Sequence, residues 1–142
     1  MVHVDLTPEE EELKKYVFSE RHEFKNVLVG HLKNILSKHI YDAMVDFYGV
    51  TVNVSADKVY IDGYLALSKL GDNTPTHIIE MHIVIHSDLT MEFRAGPLWF
   101  DYDLRNDVKD LLDTYRFTEM ALQITQPIVY TFQPPSQQNS TR

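Results

Sequence analysis

Cysteine is absent from the chain. That excludes disulfide stapling, a thiol nucleophile and every thiolate metal site, and it suits a reducing compartment. Glycine is scarce, with five in 142 residues, which leaves little material for nucleotide-gripping loops. The longest apolar runs are only a few residues, too short for the ~30 Å hydrocarbon core of a bilayer. Met1-Val2-His3-Val4-Asp5 lacks the basic start, apolar stretch and small-residue cleavage site of a secretory signal. An intracellular protein is therefore expected, cytoplasmic or carried within a virion, and the triplets Asn53-Val54-Ser55 and Asn139-Ser140-Thr141 carry no weight as glycosylation sites. Bases are in deficit: 13 Lys and Arg stand against 21 Asp and Glu, for a net charge of −8. That balance opposes binding to phosphate backbones and anionic lipid, so neither nucleic acid nor a membrane is the expected partner.

What is present suits a single core: 142 residues, 44% hydrophobic, read as one domain over 1–132 and a Pro/Gln/Ser/Asn-rich polar tail over 133–142. Thr7-Pro8-Glu9-Glu10 joins a capping residue, a proline at the first helical position and a glutamate placed to reach back to the cap. Apolar residues from Leu13 to Phe47 then recur at helical spacing up to Gly49, a candidate C-cap. They predict a helix over 8–48. At 1.5 Å per residue it would reach roughly 60 Å, so it must break, with Gly30 the favoured point, or project. A projecting helix would offer its apolar stripe, Leu28 and Leu32 included, to a partner.

Strand-like alternation follows over Lys58–Ser68, His77–His86 and Leu89–Ala95. A three-residue loop, Ser87-Asp88-Leu89, keeps the last two in parity and pairs His86 with Thr90, Val84 with Glu92 and His82 with Arg94. Gly96-Pro97 ends the meander. Asp103 caps a second helix with the stripe Leu104, Val108, Leu111, Leu112 and Tyr115, and Met120–Phe132 reads as a last strand, bent at Pro127. The expected fold is α+β: a long N-terminal helix, a three-stranded antiparallel meander, a second helix and a C-terminal strand.

The outward face of this sheet gathers Tyr60, Asp62, Tyr64, Glu80, His82, His86, Glu92 and Arg94. A carboxylate and an imidazole on one face can share a divalent ion or relay a proton, although a half-wet sheet shows such alternation in any case. The element order resembles the core of restriction-endonuclease-like nucleases, which hold a metal with an acid on one strand and Glu-x-Lys on the next. The nearest match here is Asp62 followed by Glu80-Met81-His82, with histidine in the lysine's place. That resemblance implies a metal-dependent nuclease-like enzyme using Asp62, Glu80 and His82. Against it, the usual lysine is missing and the acidic surface disfavours the substrate; nor is there a histidine metal site, since His22, His31 and His39 make no i, i+4 pair and His-Glu-x-x-His is absent. Asp101-Tyr102-Asp103-Leu104-Arg105-Asn106 opens like a calcium loop but has arginine at a ligand position and no glycine. No metal or cofactor is expected.

Leu98-Trp99-Phe100-Asp101-Tyr102 places the only tryptophan beside other aromatics. Leu98, Trp99, Phe100 and Tyr102 form either an interface anchor or a lid on the core. Together these features favour a non-enzymatic assembly or interaction protein that forms homo-oligomers and meets other assembly proteins, such as a component or assembly factor of a virus or phage particle. An acidic dimeric chaperone or inhibitor that masks a partner draws on the same features.

Overall fold

Thr7 opens the first helix. In a computed structural model of the chain, which describes residues 5–40, 43–69, 71 and 77–131, Thr7 Oγ1 accepts from the Glu10 N–H at 3.1 Å. Glu10 Oε1 accepts in return from the Thr7 N–H at 2.9 Å. Two of the helix's unpaired donors are thereby satisfied.

The region expected as one helix over 8–48 is three elements: α1 (Pro8–Val17), α2 (His22–His39) and β1 (Ala43–Val54). The break falls at residues 18–21, where side chains take over the carbonyls that α1 leaves unpaired. Ser19 Oγ donates to the Tyr16 carbonyl at 2.7 Å, and the Lys25 ammonium donates to that of Val17. Burial lowers the pKa of this lysine to about 8. Gly30 lies inside α2, and a Cβ there would meet nothing within 4 Å. The buried stripe Phe24, Leu28, Leu32, Ile35 and Leu36 outweighs the ~1 kcal/mol that glycine costs a helix. Gly49 is not a helix cap. Its φ of +58° serves a bulge in β1, where the register with the next strand shifts between Tyr48 and Thr51.

The remaining strands are β2 (Lys58–Lys69), β3 (His77–His86), β4 (Thr90–Ala95) and β5 (Leu98–Asp103). The sheet is antiparallel in the order β1-β2-β3-β4-β5. The expected three-stranded meander therefore gains a strand at each side. Its inner register includes His82 opposite Arg94 and Val84 opposite Glu92. Leu89 ends the β3–β4 loop at φ 70°, a conformation that costs an L-residue about 1–2 kcal/mol. Complete burial of its side chain offsets the strain. At Gly96, φ +58°, the chain turns back rather than leaving the sheet, because Leu98, Phe100 and Tyr102 alternate inward against Trp99, Asp101 and Asp103.

Asp103 caps the next turn, accepting from the Arg105 N–H at 3.0 Å, but Arg105 also grips both its carboxylate oxygens, at 2.9 and 2.7 Å. That pairing replaces the calcium-loop geometry. A short 3-10 turn, Leu104–Asp107, leads into α3 (Val108–Thr131). The strand expected over Met120–Phe132 is thus helix through residue 131: Phe117, Met120, Ala121, Ile124 and Ile128 recur at helical spacing, on a stripe offset from the buried Leu111, Leu112 and Tyr115, with Phe117 and Met120 exposed. Phe132 and the tail 133–142 lie outside the described residues.

The fold is α+β: among the described residues, three α-helices lie against one face of a five-stranded sheet. The nuclease-like element order does not describe it. Tyr115 sits where the helices meet, edge-on to Tyr16 at 4.9 Å and to Phe24 at 5.2 Å between ring centroids. The helices share one core with Val59, Ile61, Leu65, Met81, Ile83, Ile85 and Phe93 of the sheet.

Two glycines test this packing in opposite directions. Gly30→Ala should raise stability by about 0.5–1 kcal/mol. Gly63→Ala should lower it by about 1–3 kcal/mol, because the new Cβ would lie 2.9 Å from the Tyr48 carbonyl oxygen and 3.1 Å from Val50 Cα, inside the bulge. Urea unfolding midpoints of the two variants check both signs.

Candidate functional site on the open face of the sheet

Side chains alternate across a strand, so the pairing register dictates which residues share the uncovered face. One row runs Thr51, Asp62, His82, Arg94, Trp99 across all five strands. The next runs Asn53, Tyr60, Val84, Glu92, Asp101. A shorter row holds Tyr48, Tyr64 and Glu80. Met44 and Ile78 flank these on the same side, and both are exposed.

Two histidine–carboxylate pairs are built into this face. His82 Nδ1–H donates to Asp62 Oδ1 at 2.7 Å, directly across the β2–β3 ladder. His86 Nε2–H donates to Glu92 Oε2 at 2.6 Å, one diagonal step along the β3–β4 hairpin. Glu80 stands opposite Tyr64, not opposite a histidine. Among the described residues no three histidine, aspartate or glutamate side chains gather as a metal site requires. Asp62 and His82 are thus brought together, and Glu80 is left one step away.

The aromatic residues are the stronger feature. Trp99 is 68% exposed, and Tyr48, Tyr60 and Tyr64 are each more than a third exposed on the same face. Around them stand six acids, Asp46, Asp62, Glu80, Glu92, Asp101 and Asp103, with the bases Lys58 and Arg94 on the face and Lys33 and Arg105 paired to Asp46 and Asp103. A shallow hollow of ≈ 530 Å³ lies beside Trp99, bordered by His86, Glu92 and Asp101.

Of the residues expected at an interface, Trp99 alone points fully outward. Leu98, Phe100 and Tyr102 turn inward and pack against the core, so the aromatic segment is lid and patch at once, by alternate residues. Leu28 and Leu32 are buried in the chain's own core, because α2 folds back onto the sheet instead of projecting. The face also carries Met44, Asp46, Tyr48, Thr51 and Asn53, which sequence reasoning missed by extending the first helix to residue 48 and assigning no strand between it and Lys58. The alternation Val50-Thr51-Val52-Asn53-Val54 was the available signal.

Two further histidines, His39 and His31, serve the other side of the sheet. His39 stacks on Phe100 with ring centroids 4.3 Å apart. His31 Nε2–H donates to Asp107 Oδ2 at 2.7 Å, and the same carboxylate accepts from the Tyr102 hydroxyl at 2.8 Å. This network ties α2 to the sheet edge and to the turn before α3. Burial, reinforced by the Asp107 carboxylate, pushes the Tyr102 phenol up to about 12.

Searches of protein-family models, curated proteins and solved structures return no match to the chain.

The raised phenol fixes a pH dependence. An unfolded tyrosine ionises near pH 10 and the folded Tyr102 near 12, so the folded state holds the proton more tightly and its advantage is lost as pH rises from 10 to 12. Tyr102→Phe should cost about 1 kcal/mol at neutral pH, and the gap between wild type and variant should narrow across that alkaline window. Urea midpoints measured at intervals from pH 7 to 12 would refute this with a gap that stays constant or widens.

Proposed function

We propose that the chain is a non-enzymatic interaction protein that works as a homo-oligomer, and that the open face of its sheet takes up a basic, partly apolar surface of another protein. The observation that carries this reading is the uncovered five-stranded face with one tryptophan, three tyrosines and six carboxylates on it. Tyrosine and tryptophan are the side chains that most often anchor interfaces, since they bring large contact area at little conformational cost. An arginine or lysine from the partner can stack on these rings and pair with the acids between them. Strands about 4.8 Å apart make the face roughly 20–25 Å wide, room for a helix or a hairpin. The surplus of acids selects a cationic partner and speeds its approach.

A second reading rests on the Asp62–His82 pair: a metal-assisted phosphodiester cleavage in which Asp62 and Glu80 hold the ion and His82 moves a proton. Calorimetric titration with manganese, repeated on the Asp62→Ala/Glu80→Ala variant, decides it. No heat with the wild type, or equal heat with both, removes that reading.

Trp99 is the only tryptophan in the chain, so its fluorescence reports on the face directly. Titration with a short peptide of alternating arginine and leucine should shift its emission to the blue and saturate. Tyr60→Ala or Tyr64→Ala should weaken the binding roughly tenfold, and added salt should weaken it further. An alternating glutamate and leucine peptide should leave the emission unchanged. Equal responses to the two peptides, or none to either, would sink the proposal.

A further inference from the structure

The sheet ends in two edges, β1 and β5. β5 is six residues long, carries two aspartates and leads straight into the turn before α3. β1 is twelve residues long, and no other described element pairs with its outer edge. Its stretch Phe47-Tyr48-Gly49-Val50-Thr51-Val52-Asn53-Val54-Ser55-Ala56 contains no charge, in a chain whose residues are 24% charged. Solitary proteins guard such edges with lysine, proline, bulges or short strands. Here only the bulge at Gly49–Val50 does so, and beyond it the strand runs on unguarded.

The direction of its backbone groups follows from the hairpin that joins it to β2. The Ser55 N–H donates to the Lys58 carbonyl at 2.8 Å, so Ser55 bonds toward β2. Alternation in an antiparallel ladder gives Asn53 and Thr51 the same direction and turns the N–H and C=O groups of Val52 and Val54 outward. Beside this edge lies a groove of ≈ 390 Å³ between β1 and the start of α2, lined by Val50, Val52, Val54 and Val29, with Glu20 and Asn26 beside them.

We infer that this edge takes β1 of a second copy, the two strands pairing antiparallel about a twofold axis at Val52. The composition and register of the strand select that occupant. Two chains at −8 each repel, and this strand offers them a contact with no like charges opposed. The register is also self-complementary. Val52 meets Val52, Val50 meets Val54 on the groove side, and Thr51 meets Asn53 on the open side, where hydroxyl and amide can bond. The product is one ten-stranded sheet with the two aromatic faces side by side, so that a partner bearing two basic sites is held with an effective concentration that one face does not supply. This inference rests on the homo-oligomer reading above and assigns its interface.

The test is sedimentation equilibrium of the full chain. The wild type should be a dimer. Thr51→Lys/Asn53→Lys sets like charges directly opposite at both positions, while within each chain the lysine introduced at position 51 lies across from Asp62. The dimer should weaken at least about tenfold, the equivalent of 1.4 kcal/mol, with an unchanged circular dichroism spectrum. Thr51→Asp/Asn53→Asp should weaken it likewise, and mixing the two variants in equal amounts should restore dimers. Should either double variant fail to fold, Val52→Pro removes only an outward N–H and should also yield monomers. A wild-type monomer overturns the homo-oligomer reading and this inference with it. A wild-type dimer that no variant weakens, or variants that do not recover on mixing, overturns the edge pairing alone.

Discussion

The rest of the structure depends on one asymmetry of burial. Three helices cover a single face of a five-stranded sheet, and the largest fully buried side chains turn to that side. Phe24, Tyr115, Leu13 and Leu28 from the helices meet Ile61, Leu65, Met81, Ile83, Ile85 and Phe93 from the strands, each nearly or wholly removed from water. Such burial is worth about 1.5–3 kcal/mol for a large side chain, enough to tolerate local costs such as a glycine inside α2 and a leucine held at φ 70° in the β3–β4 loop. With every helix committed to one side, the opposite face has no covering element in the described chain. Its composition is therefore free to answer to something other than folding.

That freedom gives the exposed tyrosines and Trp99 their meaning. A lone exposed aromatic residue is ordinary on a protein surface. Four aromatics on one flat face, interleaved with carboxylates and with histidines already bonded to acids, form a surface of consistent chemistry. The hydrogen bonds His82–Asp62 and His86–Glu92 also link neighbouring strands on the wet side, beside the facing pairs Tyr48–Tyr64 and Tyr60–Val84. The face is stiffened by its own polar groups, and a stiff surface loses less conformational entropy when a partner settles on it.

Much of this was legible in the residues. The capping box at Thr7, the β2 and β3 boundaries, the β3–β4 register and the α3 stripe through Tyr115 each rest on a local rule, and local rules survive folding. The errors arose where two periodicities overlap. From Ile40 to Phe47 the apolar residues fit a helix as well as a strand, and only the run Val50-Thr51-Val52-Asn53-Val54 speaks for the latter. The break after Val17 was visible as a missing apolar residue: Val17 and Phe24 are two turns apart with only Phe18 beside them and polar residues between. The carbonyls released there are met by Lys25, eight residues beyond Val17, and no local motif announces that. The polar face of β2 and β3 was named from the sequence, whereas its β1 and β5 portions depended on strands read as helix and as connection. Met120 to Thr131 was read as strand because its residues favour either state, and its place at the end of α3 decided the matter.

Every strand pairs with its neighbour in sequence, while the elements that seal the core come from opposite ends of the chain. α1 packs against α3, and Arg116 reaches Glu12 at 2.8 Å across 104 residues. The order of assembly follows from this separation. The sheet is made of short-range hairpins that close with small loop entropy, and the meeting of α1 with α3 spans nearly the whole chain, where loop closure costs the most. On a ribosome the N-terminal helix must wait, unsealed, until the last helix has emerged.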